Sequence, residues 1–172
     1  MAGATQTEEF LALNPVGQVP LARWPDGRGL PQSNAIMLYL AEQAESDLVP
    51  SDPFTKAQMM SWLFWEQYSH EPAIAVRRFQ KLYLKKSDDE IEPSLMAKGR
   101  RALGVMELQL TRTDWIVGDT FTLADIALVA YTRLAHEGGF DLSEFPSVER
   151  WVSRTEAELG IPHAMPKEGH AL

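Results

Sequence analysis

The sequence predicts an α+β protein that is mainly helical. Three observations carry this. A short stretch near the start has an extended–turn–extended pattern, every segment after Pro53 has helical periodicity, and two prolines with small polar residues separate the two parts. The chain has 172 residues, of which 45% are apolar and 23% charged. That length and balance support a packed core and one ordinary domain or two small ones.

The elements follow in order. Residues 7–13 read as a short helix stopped at Asn14-Pro15, because a residue before proline is pushed out of the helical region. Residues 17–24 read as extended, Pro25-Asp26-Gly27 as a turn, and Arg28 to Leu30 as a weak returning strand. From Gln32 to Ala44 the pattern is helical, with Ile36, Leu40 and Ala44 on one face and Ser33 at the start as a candidate cap. These elements give a first domain over 1–44, with a linker over 45–53.

A helical domain is expected over 54–160. Its first helix runs from about Phe54 to Arg78 and is apolar on more than one face. A surface helix needs a single apolar stripe, so the second face must meet another subunit, another domain or a ligand. The acidic run Asp88-Asp89-Glu90 before Pro93 suits a helix first turn, and Arg77-Arg78 suit a helix C-terminal end. Leu95, Gly99, Leu103, Met106 and Leu110 mark the next helix. Thr122 and Asp125 have the spacing of a capping box, flanked by Phe121 and Ile126 at the positions of a hydrophobic staple. Removing such a cap costs about 1 kcal/mol, more where it is buried. That helix is expected to continue through Ala135 and stop at Gly138-Gly139. A last helix spans about Ser147 to Leu159 before Gly160, and residues 161–172 read as a mobile tail.

Composition excludes several functions. Sixteen Lys+Arg against twenty-four Asp+Glu give a net charge of −8, which disfavours nucleic acid as a partner. There is no cysteine, hence no disulfide, thiolate metal site or cysteine nucleophile in this sequence, which suits a cytoplasmic protein. No apolar run has the length of a membrane span. Glu66 and His70 share a helix face, yet two ligands do not make a metal site, so no metal is expected.

Two strings, Asn14-Pro-Val-Gly-Gln-Val-Pro20 and Leu30-Pro-Gln-Ser-Asn-Ala-Ile-Met-Leu-Tyr-Leu-Ala41, resemble the glutathione-binding domain of the glutathione transferases. Val117-Gly-Asp-Thr-Phe-Thr-Leu-Ala-Asp-Ile-Ala127 and Phe145-Pro-Ser-Val-Glu-Arg-Trp151 are similar to helices of that family's second domain, and Trp65-Glu-Gln-Tyr-Ser-His-Glu-Pro72 to a string in bacterial members. The resemblance implies a thioredoxin-like N-terminal domain, here lacking its first strand–helix–strand unit, followed by an all-helical domain. It also implies that the family's serine, tyrosine or cysteine that activates the glutathione thiol belongs to that leading unit. No catalytic residue is therefore assigned, and the expectation is either that the natural protein is longer or that it is a degenerate form whose helical domain carries the stability.

What the resemblance implies for the site is specific. Val19 would pair its backbone with the cysteinyl part of glutathione, beside a cis bond to Pro20. Ser33 would hold the γ-glutamyl carboxylate at a helix start, unless it only caps its own helix. Gln32 would accept from the γ-glutamyl ammonium and Gln18 would add a polar contact. Trp65 and Tyr68, with Trp62, fit a second-substrate pocket, the core or a subunit contact. Thr122 and Asp125 are structural. The implied activity is conjugation of the glutathione thiol to an apolar electrophile by a homodimer, with glutathione as co-substrate and no cofactor. The alternative is a non-catalytic module of the same fold that binds partners.

Overall fold

The computed structural model describes residues 3–164. The chain forms two compact units, the first ending at Val49 and the second starting at Pro50. Most of the tail expected over 161–172 lies outside the described residues. Within it, Arg133 bonds the Pro162 carbonyl, while the Glu156 carboxylate takes His163 and the Ala164 N–H.

The first unit opens with a 3-10 turn (Ala4–Gln6) and helix α1 (Glu8–Leu13), whose Thr7 hydroxyl accepts from the Phe10 N–H. Strands β1 (Leu21–Arg23) and β2 (Gly29–Pro31) pair antiparallel, with Leu21 opposite Pro31 and Arg23 opposite Gly29. The connecting turn closes through the Gly27 N–H on the Trp24 carbonyl, and Asp26 accepts from the Arg28 backbone and guanidinium. Helix α2 (Ser33–Gln43) follows, and among the described residues Ala41 is this unit's one buried hydrophobic residue. So little buried apolar surface leaves local hydrogen bonds to fix the loops.

The second unit is all helical. Helix α3 (Pro53–Trp65) is capped by Asp52, and a π-helical segment (Glu66–His70) joins it to α4 (Glu71–Leu82). The single helix expected from Phe54 to Arg78 is thus longer and interrupted. Pro72 has no N–H for the carbonyl one turn back and its ring crowds that carbonyl, so the ladder shifts, and the Glu71 N–H bonds the Glu66 carbonyl five residues back.

Helix α5 (Pro93–Leu110) is capped by Glu92. The acidic run 88–90 is not in its first turn. Asp88 instead receives Arg77 and Lys81, and Glu90 accepts from Ser87. Nor do Arg77 and Arg78 complement a helix end, since α4 continues to Leu82. Arg77 is buried with its Nε on the Gly138 carbonyl at 2.8 Å, and Arg78 pairs with Glu137. Helix α6 (Leu123–Thr132) stops before the expected Ala135, and a 3-10 turn (Ala135–Gly138) ends at Gly139 with φ of 84°. Helix α7 (Pro146–Leu159) ends at Gly160 in the left-handed region. Its own first turn has no side-chain cap. Glu107 of α5 supplies one, accepting from the Ser147 and Val148 N–H groups at 2.9 and 3.0 Å.

The core is made by Met59, Leu63, Ile74, Leu103, Met106, Leu128, Val148 and Trp151. Gly99 lets Phe140 lie on α5, because a Cβ there would stand 2.4 Å from the ring. Among the described residues no helix is long and apolar enough to cross a membrane.

Two buried polar groups order this core. Asp125 closes the capping box and accepts from the Ile116 N–H (2.9 Å), the Thr122 N–H (3.0 Å) and the Trp151 Nε1–H (2.8 Å). Burial raises its carboxyl pKa and these donors oppose that rise. His70 is fully buried in the π segment, with Nε2 2.9 Å from the Thr132 hydroxyl. That hydroxyl already donates to the Leu128 carbonyl, so His70 donates from Nε2 and is neutral. Burial pushes its pKa down to about 3.

Two expectations follow from these groups. Asp125→Ala leaves three buried N–H donors unmet, and should cost about 3 kcal/mol or more in urea unfolding. A loss below about 1 kcal/mol would mean that the carboxylate does not organise this region. For His70, the unfolded chain takes up a proton below about pH 6.5 that the folded chain refuses until about pH 3. Stability is therefore lost as pH falls through that window, by about 2 kcal/mol between pH 7 and pH 5 from this group. Urea titrations of the wild type and His70→Gln should show this slope in the first only.

Candidate functional site

The candidate residues of the first unit gather at one end of the hairpin. With Leu21 opposite Pro31 as the last pair of the ladder, the residues just before Leu21 and those just after Pro31 leave the hairpin at the same end. Gln18, Val19, Pro20, Gln32 and Ser33 are all exposed. The Val19–Pro20 peptide is cis. Val19 is 72% exposed, and among the described residues no hydrogen bond uses its backbone N–H or C=O. An extended ligand therefore has a free backbone edge to pair with.

The start of α2 adds to this. Gln32 is the residue before the helix, at φ 74° and ψ 117°, a conformation rare outside glycine. Its carbonyl accepts the first intrahelical bond, from the Ile36 N–H, but no side chain caps the helix. Ser33 is the first helical residue rather than the cap, and its hydroxyl makes no hydrogen bond among the described residues. A helix start with an exposed, unengaged hydroxyl favours an anion. A non-glycine residue at positive φ is tolerated where surroundings or function demand it.

Asn14 and Gly17 fix the loop that delivers Gln18 and Val19, and the sequence reading did not single them out. Asn14 is buried, and its Nδ2 donates to the Gln18 carbonyl at 2.7 Å while its Oδ1 accepts from the Val16 N–H at 3.3 Å. The signal available was Asn before Pro, since an Asn side chain bonds backbone two residues on. Gly17 has φ of 67°, and a Cβ there would stand 2.5 Å from Gln6 Nε2.

The second unit has a cavity of about 550 Å³ between the π segment and α5. Trp65, Tyr68, Ser69 and Pro72 form one wall, and Leu95, Lys98, Arg101 and Val105 the other. Tyr68 is 87% exposed, and Trp65 packs edge-on against Trp62 at 5.1 Å between ring centres. Thr122 and Asp125 lie in the core, away from any such surface. Among the described residues no group of three His, Cys, Asp or Glu side chains is placed to hold a metal ion.

Known proteins match along nearly the whole chain. The family model of the glutathione S-transferase C-terminal domain matches residues 60–158, and that of the N-terminal domain residues 1–43. The crystal structure of a glutathione S-transferase from Pseudomonas fluorescens superposes with a TM-score of 0.86 at 46% identity, covering 95% of this chain and 80% of that one. A glutathione S-transferase-like protein, LUC7 of a Fusarium species, is 34% identical over 158 residues, 87% of this chain and 71% of its own. Ure2p in complex with glutathione superposes with a TM-score of 0.78 at 26% identity, covering 90% of this chain and 74% of that one. With family models matching both parts of the chain, it belongs to the glutathione S-transferase family.

Proposed function

We propose that the protein is a glutathione transferase that joins the glutathione thiol to an electrophilic, mostly apolar small molecule. The observation that carries this reading is the hairpin register, which leaves the free backbone of Val19 and the unengaged hydroxyl of Ser33 at the same end. Glutathione lies along this end. Its cysteinyl amide pairs with the Val19 N–H and C=O. Its γ-glutamyl carboxylate takes the Ser33 hydroxyl and the first-turn N–H of α2. The Gln32 side-chain carbonyl accepts from the γ-glutamyl ammonium, and Gln18 contributes a further polar contact. Pro20 holds the bend beside Val19.

In the reaction the glutathione sulfur acts as thiolate. It forms a bond to the electrophilic carbon while the leaving group departs with its electron pair, or while a polarised double bond takes up a proton. No residue described here is assigned to lower the thiol pKa. Trp65 and Tyr68 offer apolar wall to the second substrate.

The protein acts as a homodimer in this reading. Phe64 is 68% exposed at the end of α3, and Leu108 is 65% exposed on α5, in the same helical unit as Tyr68. Phe64 belongs to the second apolar face of the helical unit's first helix, and a symmetric partner would cover it together with Leu108.

Two experiments test these assignments. Ser33→Ala should weaken binding to glutathione about tenfold, the loss of a hydrogen bond to a charged group, with an unchanged melting temperature. An unaltered dissociation constant removes Ser33 from the site, and no retention of the wild type on immobilised glutathione removes the site itself in favour of a non-catalytic module. In light scattering the wild type should have twice the mass of the 19.3 kDa chain and Phe64→Glu the mass of one. A monomeric wild type ends the dimer assignment.

A further inference from the structure

Helix α4 carries a stripe that points at a second cavity. Glu71, Ala75 and Phe79 recur at four-residue intervals and Tyr83 continues the row, so they share one face. With Tyr131 of α6 they line a pocket of about 410 Å³. Phe79 and Tyr83 stack with ring centres 5.5 Å apart, and both rings are more than half exposed. Three rings and one carboxylate therefore face the same space.

The charges of this pocket do not cancel. Glu71 is half-buried, and among the described residues no hydrogen bond or ion pair reaches its carboxylate. Burial raises its pKa, as expected of a carboxylate that has lost water and gained no donor. Arg78 also lines the pocket, but its guanidinium is taken by Glu137. Tyr131 registers the balance. Burial comes first in raising its pKa, the charges of Glu71 and Glu66 raise it further, and Arg78 alone opposes them. Arg78 is neutralised by Glu137, so Glu71 leaves the lining with an excess of negative charge.

We propose that this pocket binds a small organic cation, an ammonium group carrying apolar substituents, with Glu71 as its counter-ion and Phe79, Tyr83 and Tyr131 as its aromatic wall. A strongly hydrated metal or a bare ammonium would gain nothing from three rings. An alkylated ammonium gains from both the rings and the charge, because its positive charge is spread over apolar surface. An anion would have to displace Glu137 from Arg78 and sit beside Glu71. The inference uses residues of the helical unit alone and stands apart from the glutathione site.

The test is a titration of the full chain with choline and with its uncharged carbon isostere, 3,3-dimethylbutan-1-ol, followed through the tyrosine ring signals in NMR spectra. Choline should bind saturably and the isostere about tenfold or more weakly. Glu71→Gln should bring choline to the level of the isostere while keeping the wild-type melting temperature. Phe79→Ala should weaken both probes. Equal affinity of the two probes for the wild type, no saturable binding of choline, or unchanged choline binding in Glu71→Gln would each overturn the proposal.

Discussion

A buried carboxylate is tolerable only where donors surround it, and that constraint governs the helical unit. Asp125 draws its donors from three separate segments: the loop at Ile116, the helix start at Thr122, and Trp151 on α7. Each donor would itself be costly to bury unmet. The carboxylate and its partners are therefore satisfied only together, which fixes where α6 begins and how α7 lies against it. Glu107 repeats the device at the start of α7. Helices placed this way hold α3, α4 and the π segment at fixed spacing, and the cavities described above are the spaces left between them.

The first unit is held by other means. With Ala41 as its one buried hydrophobic side chain among the described residues, it has little apolar core to define its loops. Its site depends instead on backbone geometry and on one buried side chain, Asn14, which ties the Gln18 carbonyl and the Val16 N–H. This suits recognition by backbone. In the proposed site Val19 would act through its N–H and C=O alone, whatever its side chain. The unusual conformation of Gln32 is part of the same arrangement, since it delivers Ser33 to the first helical position with its hydroxyl unengaged.

Much of this was legible in the sequence, and the reasons for success and failure are physical. The stop at Asn14-Pro15, the turn at Pro25-Asp26-Gly27 and the capping box at Thr122 and Asp125 are written in neighbouring residues, so local chemistry reveals them. The weak second strand was readable for the same reason. What escaped depends on partners far along the chain. Arg77 goes to the Gly138 carbonyl and Asp88 rather than to the end of its own helix. Glu107 caps a helix that begins forty residues later. Thr132, the last residue of α6, bonds the Leu128 carbonyl and receives His70, sixty-two residues away in sequence. The π segment was within reach, because Pro72 sits inside an otherwise helical pattern, where a shifted ladder is one way to keep the helix going.

The helices around that π segment serve two cavities of opposite character. The wider turn rotates the residues after it relative to those before it. Trp65, Tyr68, Ser69 and Pro72 line the cavity toward α5, where Lys98 and Arg101 form the other wall. Glu71, Phe79 and Tyr83 look toward α6, where Tyr131 waits and the surplus charge is negative. Among the described residues Lys98, Arg101 and Glu71 make no ion pair, although oppositely charged side chains are abundant elsewhere on the protein. Lys98 and Arg101 on α5 and Glu71 at the start of α4 therefore give the two cavities linings of opposite charge.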